Sequence, residues 1–156
     1  MELDHIFICT GNGAPEAELL KAFGLTEGSR NLHPGQGTAN RRFFFHNAML
    51  ELLWVSDPDE AQCERTKPTR LFERCSLVNT NVSPFGFCFR AGRQSESKAP
   101  FSAWHYKPTY LPKSLFIEVG KSPLNEPMWF YFSSASRPDS IDGKKRQPRQ
   151  SASLIL

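Results

Sequence analysis

A chain of 156 residues, 39% of them hydrophobic, has enough apolar side chain for one domain or for two half-sized modules sharing a core. Its 13 phenylalanines argue against disorder, and no apolar run is long enough to cross a bilayer. The net charge of +3 sits entirely after Ser133, where Arg137, Lys144, Lys145, Arg146 and Arg149 face only Asp139 and Asp142. The body is therefore formally neutral, which argues against a nucleic-acid partner, since that would want basic residues interleaved with exposed aromatics on the folded surface.

Leu3 to Thr10 reads as a first strand around Ile6, Phe7 and Ile8, ended by Gly11-Asn12-Gly13. The opening MELDHIF is acidic and runs straight into that strand, so no secretory signal is expected and the cytoplasm is the expected compartment. Pro15 with Glu16 and Glu18 marks a helix start and Gly24 its stop, with Leu19, Leu20 and Phe23 as the expected buried face. After a loop through Ser29-Arg30-Asn31 comes a glycine-rich loop at Pro34, Gly35 and Gly37. Arg41–Phe45 and Met49–Val55 then read as antiparallel strands around a His46-Asn47 turn. Ser56 to Glu60 carries a cap, a proline and acids, so a short helix follows; Pro68 interrupts it, and Thr69 restarts a turn through Leu71, Phe72 and Arg74.

The second half opens on Ser83–Arg90, where Phe85, Phe87 and Phe89 alternate with Gly86 and Cys88 in a strand pattern. Residues 92–99 are a polar loop. Trp104-His105-Tyr106, Leu115–Val119 and Met128–Phe132 are the remaining strands. Serine, proline and basic residues then dominate, as in a mobile tail, and Leu154-Ile155-Leu156 resembles the first residues of one more strand. The four cysteines, Cys9, Cys63, Cys75 and Cys88, form no C-x-x-C pair and mostly lie in apolar segments. Reduced, buried thiols are therefore expected rather than a disulfide framework or a zinc knuckle.

Glu51 is the one polar residue of MLELLWV, and a carboxylate inside a buried strand requires compensation. Three partners serve: a metal ion, an arginine such as Arg41 or Arg42, or a retained proton. The loop before these arginines offers backbone amides together with Gln36, Thr38 and Asn40, groups suited to a ligand's carboxylate or phosphate. The plainer reading is a turn that needs positive φ at its glycines. Trp104, Tyr106 and the nearby Tyr110 suit the mouth of a pocket, or simply pack. No serine sits in a nucleophile-elbow sequence.

The succession of LDHIFI, a helix, HPGQGTANRRFFF and LELLWV resembles the vicinal oxygen chelate superfamily, which holds glyoxalase, bleomycin-resistance and extradiol-dioxygenase proteins. It is closest to that group's glyoxalase-like bacterial members and covers roughly residues 3–132. The resemblance implies an α+β fold of two βαβββ-type modules, residues 1–78 and a degraded 79–132, curving a mixed sheet around a cup, with 133–156 as the tail. It also implies a divalent metal (zinc, nickel, manganese or iron) held by His5 and Glu51, with Glu51 doubling as catalytic base. The second module departs from the pattern: SPFGFCFR has no histidine, and Phe85 or Gly86 stands about where one is wanted. Glu118 and Glu126 are candidate carboxylates there, and His105 is the candidate replacement ligand. The function implied is binding of a small polar metabolite, with lyase, isomerase or dioxygenase chemistry on a carbonyl or vicinal diol, Arg41 or Arg42 steadying an anionic group. The alternative is a metal-free sequestering protein. A homodimer is implied by resemblance alone.

Overall fold

The computed structural model describes residues 1–76, 81–92, 98–141 and 147–151. It is an α+β fold built on one eight-stranded mixed sheet. The strands are β1 (Glu2–Cys9), β2 (Asn31–His33), β3 (Thr38–Phe44), β4 (Met49–Val55), β5 (Phe85–Arg90), β6 (Ala103–Tyr106), β7 (Ile117–Gly120) and β8 (Met128–Tyr131), ordered β2-β3-β4-β1-β5-β8-β7-β6 across the sheet. β1 pairs parallel with β4, β5 parallel with β8, and β1 meets β5 antiparallel at the centre. Each half is thus the same four-strand unit, turned about an approximate twofold axis between β1 and β5.

The helices are α1 (Glu16–Ala22), α2 (Pro58–Gln62) and α3 (Leu71–Cys75), with a 3-10 turn at Lys67–Thr69 between the last two. Asp57 caps α2 by accepting from the amides of Asp59 and Glu60, as its serine-aspartate-proline context predicts. Only the first half carries a helix after its first strand among the described residues, which is the physical content of the degraded second module. No helix among them is long and apolar enough to cross a membrane.

The sheet buries both faces of its first half. Ala14, Ala17, Phe43 and Leu52 form a cluster under α1, while Phe7, Leu53, Leu71, Tyr106, Val119 and Phe130 belong to a cluster on the other face. His33 near one edge of the sheet and Tyr106 at the other line a single cavity, which requires the sheet to curve around it. At the centre of that floor Gly86 faces Phe7, and a Cβ on Gly86 would enter the phenyl ring, so the close approach of β1 and β5 needs glycine there.

Three expectations change. α1 buries Ala17 and packs Leu20 inward, whereas Leu19 and Phe23, four residues apart on its outer side, are 72% and 87% exposed. Cys9 and Cys75 form a disulfide, with Cα atoms 4.8 Å apart, so only Cys63 and Cys88 are free thiols. The two cysteines lie 66 residues apart and meet only because α3 packs over the end of β1 and β4. The described tail residues are docked: Gln150 is buried, accepts from the Thr26 amide at 2.9 Å and donates to the Thr26 carbonyl at 2.7 Å, and Arg149 bridges Phe44. Lys144, Lys145, Arg146 and the closing Leu154-Ile155-Leu156 lie outside the described residues.

Candidate functional site

Because side chains alternate along a strand, one face of each strand reaches the cup. On β1 that face is His5 and Phe7, on β4 Met49, Glu51 and Leu53, on β3 Asn40 and Arg42, and on β5 Cys88. Together with Met128, Phe130, Phe132, Ile117 and Val119 from the other half, and with Thr69 and Leu71, they line a cavity of about 320 Å³. This volume suits a small organic molecule.

The polar centre of the cup is a chain of four side chains. Arg90, buried on β5, donates to Asp4 Oδ1 at 3.0 Å, to Glu2 at 3.2 Å and to the Asn47 carbonyl at 2.7 Å. Asp4 Oδ2 in turn takes His5 Nδ1 at 2.7 Å, which orients the imidazole and turns Nε2 to Glu51 Oε2, 3.4 Å away. Glu51 is 5% exposed, and its other oxygen accepts from Asn40 Nδ2 at 2.5 Å. With Nδ1–H given to Asp4, the Nε2 lone pair would face a carboxylate oxygen, which is repulsive. A proton or a cation must lie between them. Burial works against an imidazolium, yet the Cys88 sulfur and the Asp4 carboxylate beside it outweigh that and hold His5 well above the usual imidazole range. Asp4, despite its burial, is held below the usual carboxylate range by His5 and Arg90.

The same donors fit a metal ion. Two ligands about 2.0–2.1 Å from a tetrahedral ion stand roughly 3.3 Å apart, the spacing of His5 Nε2 and Glu51 Oε2. A carboxylate on the far ring nitrogen is the usual outer partner of a ligating histidine. Cys88 Sγ is close by: it, a ring nitrogen of His5 and an oxygen of Asp4 lie within 4.8 Å of one another, a group that does not include Glu51.

The remaining sequence-predicted residues divide by face. Gln36 and Asn40 line the cup. Thr38, 1% exposed, sits behind them, with its hydroxyl taking Gln36 Nε2 at 2.8 Å and His33 Nδ1 at 2.9 Å away. Arg42 is the cross-strand partner of Glu51 and lines the cup, although its guanidinium is tied to Ser29 at 2.6 and 2.8 Å. Arg41 points to the opposite face, buried under α1, where it binds Glu18 at 2.6 Å and Glu27 at 2.5 and 2.7 Å; it steadies no ligand in the cup. Tyr106 lines the cup, but Trp104 faces a separate cavity with Arg74 and Lys121. His105, between them on β6, is exposed and stacked on Phe116 with centroids 4.1 Å apart, on the side away from His5 and Glu51. Glu118 alternates out of the cup and accepts from the Ala99 amide at 3.0 Å, while the Glu126 side chain is exposed.

The glycine loop cradles an anion of its own chain. The amides of Gly35 and Gly37 donate to Glu60 Oε2 at 2.7 and 3.1 Å, and both glycines have positive φ, so that cradle is occupied from within. His33 escaped the sequence reading, whereas Tyr110, expected at the mouth of a pocket, does line the cup. His33 stacks on Tyr110 with centroids 5.0 Å apart, and burial holds its pKa below the usual imidazole range. Tyr110, its hydroxyl raised by burial, contacts Gln36 Oε1 at 3.3 Å. The available signal for His33 was its place two residues after Asn31, on the face that Asn40 and Thr38 share across β3.

The family model of the glyoxalase-like domain matches residues 3–121, well over half of the chain and every strand but the last. The chain belongs to the glyoxalase-like domain family. This agrees with the vicinal oxygen chelate resemblance and with two pseudo-repeated halves curving around a cup. No curated protein and no solved structure gives a significant match. The first half places His5 and Glu51 on the cup, while the second places Cys88 and Phe132 there.

Proposed function

We propose that this glyoxalase-like protein binds a small molecule in the cup and, with His5 and Glu51 holding a divalent metal, acts on a carbonyl or vicinal-diol compound as a lyase, isomerase or dioxygenase. The observation that carries this reading is the His5–Glu51 contact, 3.4 Å between two groups that need a cation or a proton between them. The ligand's apolar body would lie against Met128, Phe130 and Val119, and its polar end would meet Asn40, Arg42 and Gln36. Bound there, a divalent ion of the zinc, nickel, manganese or iron type supplies Lewis-acid polarisation of a carbonyl oxygen. Asn40 fixes one oxygen of Glu51, leaving the other as the proton acceptor nearest the cup. Neutral His33, on β2 in the same half, is a second proton acceptor lining the cup. The apolar second half keeps water from the reacting end.

A second reading has its own support. The raised pKa of His5 lets a proton take the bridging place, and Phe132 brings no donor, so a metal-free binding protein would hold the same geometry. Metal analysis of protein purified without chelator separates the two, repeated on His5→Ala and Glu51→Gln. Stoichiometric zinc, nickel, manganese or iron that both variants lose supports the metal reading. Metal-free protein whose melting temperature is unmoved by added zinc, nickel or manganese overturns it in favour of the binding protein.

A further inference from the structure

The central register extends the site into the second half. β1 and β5 run antiparallel with His5 directly opposite Cys88. In β4 the residue beside His5 is Met49, and in β8 the residue beside Cys88 is Phe130. Two positions on stand Glu51 and Phe132. Under the twofold relation of the halves, Cys88 is therefore the counterpart of His5, and Phe132 the counterpart of Glu51. The structure moves the expected ligand position from Phe85 or Gly86 to Cys88.

The side chain is placed to use that position. Cys88 is 1% exposed to solvent yet lines the cup, and its Sγ lies within 4.8 Å of a His5 ring nitrogen. Its sulfur hydrogen-bonds the Phe89 carbonyl at 3.7 Å and also the His5 side chain, which ties it directly to the imidazole. Asp4 is committed, to Arg90 on one oxygen and to His5 Nδ1 on the other. Asp4, His5, Glu51 and Cys88 all line the cup, and with Asp4 so committed the donors left for an ion are His5 Nε2, Glu51 and the Cys88 sulfur.

We propose that Cys88 is the second half's metal ligand, so that the cup holds a zinc-type ion through His5, Glu51 and a Cys88 thiolate. This rests on the metal reading above and narrows it. When the sulfur–metal bond forms, the S–H bond breaks and its proton leaves to solvent. A thiolate with imidazole and one carboxylate selects zinc, cobalt or nickel over manganese or magnesium. A set of three protein donors would resemble catalytic rather than structural zinc sites, and Phe132 supplies no further donor.

Cobalt(II) titration of the full chain in a non-chelating buffer tests this optically. The test uses the Cys63→Ser variant, in which Cys88 is the one free thiol because Cys9 and Cys75 are bonded to each other. The expected result is one equivalent of cobalt with an intense near-ultraviolet thiolate-to-cobalt charge-transfer band. Zinc, but not manganese, should displace the ion. Adding Cys88→Ser should abolish the band and weaken cobalt binding by more than about 100-fold, the upper range for loss of an outer-shell partner alone. A full equivalent of cobalt without the band, or a band that survives Cys88→Ser, overturns the thiolate ligand and leaves a metal at His5 and Glu51. Folded protein that takes up neither cobalt nor zinc overturns both readings. The Cys63→Ser spectrum alone decides if the Cys88 variant does not fold.

Discussion

β1 and β4 place His5 and Glu51 on the floor of the cup, whereas β5 and the residue just past β8 place Cys88 and Phe132 there. One backbone arrangement thus carries a charged half and an apolar half. The outer faces differ too. α1 and the Arg41–Glu27–Glu18 cluster cover the first half, while Phe87 and Phe89 stack on Trp129, 38% exposed, outside the second. The difference shows that backbone symmetry positions donors without dictating them.

The halves are joined through α3, and the largest expected effect breaks that joint. The Cys9–Cys75 disulfide fastens α3 to β1. Arg74 on the same helix donates to the Ser83 carbonyl at 3.2 Å and to the Glu126 carbonyl at 2.7 Å, fastening it to the second half. Closing a loop with a sequence separation of 66 contributes about 4 kcal/mol in the chain-entropy account. Cys75→Ala is expected to lower the urea unfolding free energy by about that amount, and denatured wild-type protein should titrate two free thiols before reduction and four after. Four thiols in freshly purified, unreduced protein would refute the link.

Arg90 is the next clasp, reaching from β5 in the second half to Asp4 in the first. Arg90→Met removes one of the two basic partners of the partly buried Asp4 carboxylate and should cost about 3 kcal/mol. It should also loosen His5, so metal affinity falls about 10- to 100-fold even though no donor has been removed. Unchanged affinity in a folded variant would show that Asp4 orients the imidazole without help from the second half. A smaller effect comes from Gly86→Ala. Its new methyl group meets the Phe7 ring at the seam between the halves, and overpacking of this kind costs about 2 kcal/mol.

Much of the fold was legible because its signals are local. The period-two patterns, the proline and glycine punctuation around α1, and the isolated acid in MLELLWV lead directly to β1, α1, β3, β4 and β8. What stayed hidden needed register or long-range packing. β2 is three residues long and reads as part of a loop, and β3 begins at Thr38 inside the glycine-rich segment. Arg41 and Arg42 are indistinguishable until β3 is paired with β4, when Arg42 falls opposite Glu51 and Arg41 opposite Leu52. Gly86 and Cys88 did stand apart from Phe85, Phe87 and Phe89 in the sequence, but only the β1–β5 pairing shows that the small-residue face is the one that looks into the cup. The Glu60 side chain that fills the glycine loop arrives from a helix more than 20 residues later.

The smallest expected effect tests the outer face of the first half alone. Arg41, 3% exposed, binds Glu27 with both Nε and Nη2, and these bonds lower the Glu27 pKa below its usual 4.5. A carboxyl group whose pKa is depressed by folding adds stability that is complete above its unfolded value and disappears as pH falls through the folded one. Wild-type protein should therefore exceed Glu27→Gln in urea stability most clearly above pH 4.5, with the gap narrowing as the solution is acidified below that value. Cobalt binding at neutral pH should be the same in both proteins, because Arg41 and Glu27 lie on the face of the sheet turned away from the cup. A gap that stays constant across the acid range would mean that Glu27 contributes by packing rather than by charge. A change in cobalt affinity would mean that the two faces are coupled through β3.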